Sequence, residues 1–378
     1  MLTVENFAHI ANVELALGDL TVVVGPQGAG KSLVLQWLKM AMDGRQVVKA
    51  LKEAGHPTNR PDLLIDLIFG NGMAPSWREG ETRIHFGAKQ IRRKAIGRLG
   101  NGTERLFFIP AHRALLISEG WAAPFQKLNT ETPAVARIFS QNLYDRFSGK
   151  EAGTLFPAER RLKREIREQV DAAVFHGGRV GIEEDAQHAD RLRLVHGEMH
   201  LPFMTWTAGQ REFTPLLLGL YGLLPSNKLR KHPDVDWVVL EEPEMGLHPQ
   251  AITAVMLLVL DLLWRGYRVV LSTHSPHVLT MMWMMRQLQE HNARWQLVCE
   301  AFGVEASQQM QRVAEAALNK SYRTHMFALD AVGKVTSTDI SALDPDSEDE
   351  RVAGWGGLTR YSSRFGDAVR KAVNEDAS

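Results

Sequence analysis

Over the first 24 positions apolar and polar residues alternate: Leu2, Val4 and Phe7 are followed by Ile10, Val13, Leu15 and Leu17, with Thr3, Glu5 and Asn6 between the first of them. A period of two is that of half-buried strands. They lead into an apolar run, Leu20-Thr21-Val22-Val23-Val24, which predicts a buried strand, and after a glycine-rich loop the segment Leu33-Val34-Leu35-Gln36-Trp37-Leu38 predicts a helix. That helix is expected from Ser32 to about Met42, with Gly44 marking its end. Residues 55–82, rich in Gly, Pro and Asn around the apolar stretch Leu63 to Phe69, read as strand and loop, and Thr82 to Phe86 alternates again. Glu104 to Pro110 reads as a buried strand stopped by proline.

The period changes between residues 131 and 175. Val135, Ile138, Phe139, Leu143 and Phe147, then Leu162, Ile166, Val170 and Val174, recur at three or four, and the second helix, expected over 158–175, carries its charges on the opposite face. This predicts a helical lobe inserted in an α/β chain, too short for a long coiled coil. Short strands follow from Gly178 to Met204 around Gly197. Phe213, Leu216, Leu217, Leu220 and Tyr221 make the buried stripe of a further helix, and two more apolar strands end at Leu240 and Leu271. The division expected is 1–128 and 201–290 as two lobes of one α/β unit, 129–200 as the helical insertion with short strands, and 291–378 as a segment that completes the fold or mediates contacts.

Composition adds exclusions. The 378 residues are 44% hydrophobic and 23% charged, an ordinary globular balance, and 44 Lys and Arg against 44 Asp and Glu give no global field that argues for nucleic acid or membrane. Any such contact must come from a local patch. The densest basic run, Lys89, Arg92, Arg93, Lys94 and Arg98, reads either as a solvated face or as a contact to a phosphate backbone. The single cysteine, Cys299, precludes a disulfide framework within the chain and suits a reducing compartment. The opening residues lack a signal-peptide core, and the apolar run Ala254 to Leu260 is cut by Asp261, far short of the roughly 20 residues of a membrane span. A cytoplasmic protein without membrane contact is expected.

The candidate chemistry lies at strand ends. GPQGAGKS, Gly25 to Ser32, fits the phosphate-binding loop G-x-x-x-x-G-K-[ST] between a strand and a helix. The loop residues Gly25, Gln27, Gly28, Ala29 and Gly30 are expected to turn backbone N–H groups toward an anion at the positive end of the helix. Lys31 is expected to reach the β- and γ-phosphates and Ser32 to ligate magnesium. The strand ending at Leu240 runs into Glu241-Glu242-Pro243, two carboxylates at the carboxyl end of a strand, one suited to holding magnesium and the other to deprotonating an attacking water. The strand ending at Leu271 runs into Ser272-Thr273-His274, whose imidazole can hydrogen-bond a γ-phosphate. Thr207-Ala208-Gly209-Gln210 opens a helix and is a second anion site.

In this order and spacing the four elements resemble the ATP-binding-cassette (ABC) type of ATPase found in RecF, SMC heads and the OLD family. LTVENFAHIANVELALGDLTVVVGPQGAGKS resembles their opening strand pair and Walker A, TAGQ their signature, VVLEEPEMGLHP their Walker B and D-loop, and LSTHSPHV their switch-histidine loop. The wording of EEPEMGLHP and IPAHR is nearest to the OLD-like, AAA15/AAA21-type prokaryotic ATPases, many of which serve in defence against phage, such as the ATPase subunit of the PARIS system. The resemblance implies an α/β ABC-type P-loop ATPase head with a mixed sheet and an inserted helical lobe, binding ATP and Mg2+. It implies Glu242 as catalytic base, His274 as γ-phosphate sensor, Ser32 and Glu241 at the metal, and Thr207, Gly209 and Gln210 on the nucleotide of a neighbouring copy. A homodimer or higher homo-oligomer through ATP-bound heads follows, together with an effector partner, a nuclease or toxin; DNA is a further partner if the chain acts as a RecF-like repair ATPase. Thr207 stands where serine is usual and Glu241 where aspartate is usual. Gln90 and the region of Arg113 are candidates for the Q-loop. QLVCEAFG (296–303) and Asp344-Pro345-Asp346 imitate the metal site of an OLD nuclease only loosely, and Trp355 to Leu358 reads as a docking contact.

Overall fold

The computed structural model describes residues 1–118, 120–148, 153–158, 161–225, 230–345 and 347–357. Strands β1 (Leu2–Phe7) and β2 (Ile10–Leu15) form the antiparallel pair that the alternation predicts, and β3 (Leu20–Val24) is buried at every position. Helix α1 (Lys31–Glu53) runs past Gly44 instead of ending there. Its axis breaks at Asp43 (φ −127°, ψ 21°), yet the chain resumes helix. The cause is tertiary: the Asp43 carboxylate accepts from Lys39 Nζ (2.9 Å) and from the backbone N–H groups of Arg105 (3.0 Å) and Leu106 (2.9 Å). Gly44 is needed for a close approach, since a Cβ there would sit 2.4 Å from the Ile96 carbonyl oxygen.

Leu63 to Phe69 belongs to helix α2 (Pro61–Phe69), which corrects the expected strand. Arg60 before the proline is extended, Pro61 starts the helix and Asp62 sits in its first turn, a local grammar of helix starts that the apolar run obscures. Next come β4 (Arg83–Phe86), β5 (Lys89–Gln90), the buried β6 (Leu106–Ile109), and a small hairpin, β7 (Ile117–Ser118) with β8 (Trp121–Ala122). Helix α3 (Ala134–Phe147) follows the predicted period, but the next regular helix, α4 (Arg164–Val170), starts later than residue 158 and passes into a π turn at Asp171–Phe175. Between α3 and α4 the chain forms β9 (Gly153–Phe156), a strand the helical period hides. It pairs with β10 (Arg179–Glu184), and β11 (Asp190–His196) and β12 (Met199–Pro202) complete a four-stranded antiparallel sheet that turns at Gly197.

The remaining elements alternate helix and strand: α5 (Ala208–Leu220), β13 (Trp237–Glu241), α6 (Pro249–Arg265), β14 (Arg268–Thr273), α7 (Pro276–Glu290), α8 (Gln296–Ala301), α9 (Gln308–Leu318), β15 (Tyr322–Leu329) and β16 (Val335–Asp339). The main sheet has ten strands in the order β5-β4-β1-β2-β16-β15-β3-β14-β13-β6. Five neighbours, β15, β3, β14, β13 and β6, are mutually parallel, with Val22 opposite Leu271, Leu271 opposite Leu240 and Leu240 opposite Ile109. Both faces are covered, as parallel strands require. One core contains Val23, Val239, Val270 and Trp37, whose ring packs against Phe7, Phe69 and Trp77; the other contains Val22, Leu240 and Leu271 beneath α5, α6, α7 and α9. The segment after residue 290 enters the same sheet, β15 beside β3 and β16 beside β2. Gln296–Ala301 is a helix and not the strand an OLD-type metal site needs; Asp346 and Leu358 lie outside the described residues.

Lys39 is fully buried and is held by Asp43, Glu104 (2.8 Å) and the Leu106 carbonyl (2.6 Å), so α1 is tied to the start of β6. Removing one partner leaves a buried ammonium under-compensated. Asp43→Ala is expected to cost about 3 kcal/mol or more in urea unfolding; a loss below about 1 kcal/mol would show the network to be dispensable.

Candidate nucleotide-binding site

Parallel strands deliver their C-terminal residues to one edge of a sheet. Here β3 ends at Gly25, β14 at His274, β13 at Glu241-Glu242 and β6 at Pro110 to Arg113, so residues far apart in sequence meet. β14 lies between β3 and β13. Two strand spacings, about 10 Å, therefore separate the glycine loop from the paired glutamates, room for a phosphate and a water.

The glycine loop has the geometry its sequence demands. Gly25 (φ 148°) allows the Phe327 carbonyl of β15 to pass where a Cβ would be 2.4 Å away, Gly28 (φ 75°) faces open space, and Gly30 (φ 71°) caps α1. Lys31 is 5% exposed and its Nζ donates to the carbonyls of Gly25 (2.9 Å) and Pro26 (3.0 Å). It also lies 3.0 Å from His274 Nε2; an ammonium has no acceptor, so the ring nitrogen accepts. Burial holds this lysine below its ordinary pKa, opposed by Glu242, Glu244 and Glu241. His274 Nε2 is in turn 3.4 Å from Glu242 Oε1. Lysine, histidine and glutamate, predicted separately from three strand ends, form one contiguous cluster.

The two glutamates differ. Glu241 is 4% exposed; its Oε2 accepts from the Ala111 N–H (3.2 Å), the Ser32 hydroxyl bonds the same carboxylate, and Oε1 is buried without a partner. Burial pushes its carboxyl up to about 7; the bonds from Ser32 and Ala111 oppose this, and the nearby Glu242 adds to it. An orphaned buried oxygen beside a serine hydroxyl at a phosphate loop fits Mg2+. Glu242, by contrast, points to the open side with a left-handed backbone (φ 42°) and an N–H that reaches the Ser272 carbonyl (3.0 Å). Glu244 braces the switch loop, accepting from Thr273 Oγ1 (2.7 Å) and the His274 N–H (2.6 Å).

Thr207 and Gln210 close a reciprocal capping box at the start of α5, Gln210 Oε1 accepting from the Thr207 N–H (3.2 Å) and Thr207 Oγ1 from the Gln210 N–H (3.3 Å). Gly209 packs where a Cβ would be 2.8 Å from the Gly246 carbonyl, so this turn and the turn after Glu242 share one surface. Ala208 beside it is exposed. Neither Gln90 nor the basic run joins the cluster. Gln90 is exposed on the edge strand β5, Arg93 is paired with Asp62 (2.5 Å) and Glu79 (3.3 Å), and Lys89, Arg92, Lys94 and Arg98 face solvent. Arg113, flagged only as part of a region, is fully buried beneath the glutamates. His9 was not anticipated: from the β1–β2 turn its Nε2 meets the Gly28 carbonyl (2.8 Å), and a polar residue in a two-residue turn carries no sequence signal of that.

Residues 207–280, from the capping threonine through the paired glutamates to the helix after His274, match the family model described as "AAA domain, putative AbiEii toxin, Type IV TA system". The match covers the second half of the site, and the whole chain is a mixed α/β fold around a ten-stranded mixed sheet. Solved structures similar to this chain include the SMC head domain from Thermotoga maritima, at 13% identity and a TM-score of 0.36 over 89% of this chain and 97% of that one. An SMC head bound to the C-terminal winged-helix domain of ScpA matches at 11% identity and a TM-score of 0.42, over 89% and 96% of the two chains. A dimeric bacterial ABC transporter cassette matches at 13% and 0.33, over 73% and 88%. No curated protein matches the chain. Among the described residues no helix is long and apolar enough to cross a membrane.

The raised pKa of Glu241 sets a stability profile. Between the usual carboxyl value near 4.5 and about 7 the folded state holds a proton that the unfolded chain has lost, so the group disfavours folding increasingly as pH rises through this window. Glu241→Gln is therefore expected to raise the Tm of the nucleotide-free protein more at pH 8 than at pH 5.5, by about 2 °C or more. Equal shifts at both pH values would mean that Glu241 is ionised throughout.

Proposed function

We propose that this protein binds and hydrolyses ATP with Mg2+ at sites shared between two copies of the chain, and that the ATP-held pair acts as a switch controlling a partner effector, as in defence against phage. The observation that carries the reading is the convergence of Lys31, His274 and Glu242 at the ends of three parallel strands. In the free protein Lys31 occupies loop carbonyls and His274. Nucleotide phosphates offer it stronger, charged acceptors. Glu242, on the open side, is placed to take a proton from water attacking the γ-phosphate, and His274 lies within reach of both Lys31 and that carboxylate. Ser32 and Glu241 would hold the metal, which supplies charge neutralisation on the phosphates.

The signature turn supports the sharing of sites. Thr207 and Gln210 complete their mutual bonds at the start of α5, Gly209 lies between them, and the exposed helix start offers N–H groups to an anion from outside the chain. A neighbouring copy's nucleotide fits that role, and hydrolysis then breaks the pair, which gives a switch its output. The matched family's printed description names a toxin of a toxin–antitoxin system, which fits an effector-linked role. A cytoplasmic setting suits an ATP-dependent switch with one buried cysteine. The exposed cations Lys89, Arg92, Lys94 and Arg98 favour a second reading, DNA binding of RecF type, which would show as affinity that falls steeply with salt.

Two measurements test the main reading. Lys31→Ala is expected to abolish nucleotide retention, whereas Glu242→Gln should retain ATP and lower phosphate release about 100-fold or more. Wild-type turnover by the Glu242→Gln protein would remove Glu242 from the base role. Shared catalysis is tested by mixing Glu242→Gln with Ala208→Arg, a change at an exposed position that avoids the packing clash any side chain at Gly209 would cause. A mixed pair contains one intact composite site and should recover part of the wild-type rate. Mixed pairs that form but stay inactive would rule out sharing.

A further inference from the structure

Arg113 follows β6 and is buried completely, with no carboxylate in hydrogen-bond contact. It makes four hydrogen bonds, all to backbone carbonyls. Nη1 donates to the carbonyls of Pro110 (3.0 Å) and Glu241 (2.8 Å), Nη2 to that of Glu242 (3.3 Å), and Nε to that of Glu212 (3.2 Å) in the second turn of α5. The Glu212 carboxylate stands 4.0 Å from Nε and accepts from the Ala114 N–H (3.4 Å). Burial holds the guanidinium below its ordinary pKa, opposed in part by Glu212, Glu244, Glu241 and Glu242.

The carbonyls it grips are those of the two site glutamates, and Glu242 has the left-handed φ of 42° that a non-glycine residue holds only when its surroundings impose it. The same α5 touches the turn after Glu242 at a second point, through Gly209 against the Gly246 carbonyl. Helix α5 thus meets the Glu242–Gly246 turn at its N-terminus and, through Arg113, in its second turn.

Resting on the proposed ATPase reading, we infer that Arg113 is the positioning residue for Glu242 and that, through Glu212, it couples the signature helix of a chain to the glutamate of that same chain. A neighbouring copy that engages Thr207 to Gln210 displaces or steadies α5, and the guanidinium passes the change to the Glu242 carbonyl. Engagement of its own chain on the signature side then improves the aim of Glu242 without being required for hydrolysis. Two sites of a pair would therefore reinforce one another, each chain's base being favoured by the nucleotide bound to the other.

The test measures ATP dissociation constants and single-turnover phosphate release for the full-length wild type, Arg113→Lys, Arg113→Met and Glu212→Ala, with unfolding curves for each. Arg113→Lys keeps the charge but, with three donors on one atom, cannot reach all four carbonyls, and is expected to lower the hydrolysis step about 10- to 100-fold while leaving ATP affinity within about threefold. Arg113→Met should lower it at least as far, and Glu212→Ala less. In a Glu242→Gln background Arg113→Lys should add no further loss, because the group it aims is already gone. Affinity falling in step with rate, or full multiplication of the losses in the double variant, would overturn the inference and leave Arg113 a structural residue. If Arg113→Met fails to fold, the lysine variant decides. A wild type that binds no ATP would instead defeat the ATPase reading itself.

Discussion

A carboxylate shut away from water at the end of a parallel strand is the constraint around which this molecule is arranged. Glu241 closes β13 in a nearly anhydrous position, and everything near it answers to that charge: an N–H from the loop after β6, a hydroxyl from the start of α1, and a fully buried guanidinium below. Isolated, such a group would be expelled or permanently neutral. Surrounded by strand ends from four parts of the chain, it becomes the point at which they are mutually registered. The sheet brings the strands together, and the need to compensate the carboxylate fixes how their terminal loops fold over it.

This explains which parts of the site could be read from sequence. The glycine loop, the paired glutamates and His274 were each visible because an apolar strand stops abruptly at a polar residue, a local event. What joins them is not local. Arg113 ends the stretch IPAHR, but only its placement under the Glu241 and Glu242 carbonyls shows why an arginine is there. His9 and Glu244 are similar: one touches the loop and the other braces the histidine through contacts between segments distant in the chain.

Departures in the fold have the same origin. Nine residues of helix at Pro61–Phe69 carry an apolar run too short for periodicity to separate helix from strand. Helix α1 continues through a glycine because Asp43 finds backbone partners at the start of β6, outweighing the local preference to stop. Strand β9 is apolar at few positions and owes its conformation to pairing with β10.

The seating of β15 beside β3 bears on how the protein is made. Tyr322 pairs opposite Leu20, and Ser321 bonds Asp19, across 302 positions of chain. Until residues 322–339 leave the ribosome, β3 has one edge uncovered and the β1–β2 hairpin has no strand linking it to the rest of the sheet. Translation at about 5–20 residues per second leaves that edge open for tens of seconds. The glycine loop, whose first glycine rests on the β15 backbone, is therefore unfinished on the nascent chain. A loop built this way cannot take its final shape while the chain is still being synthesised.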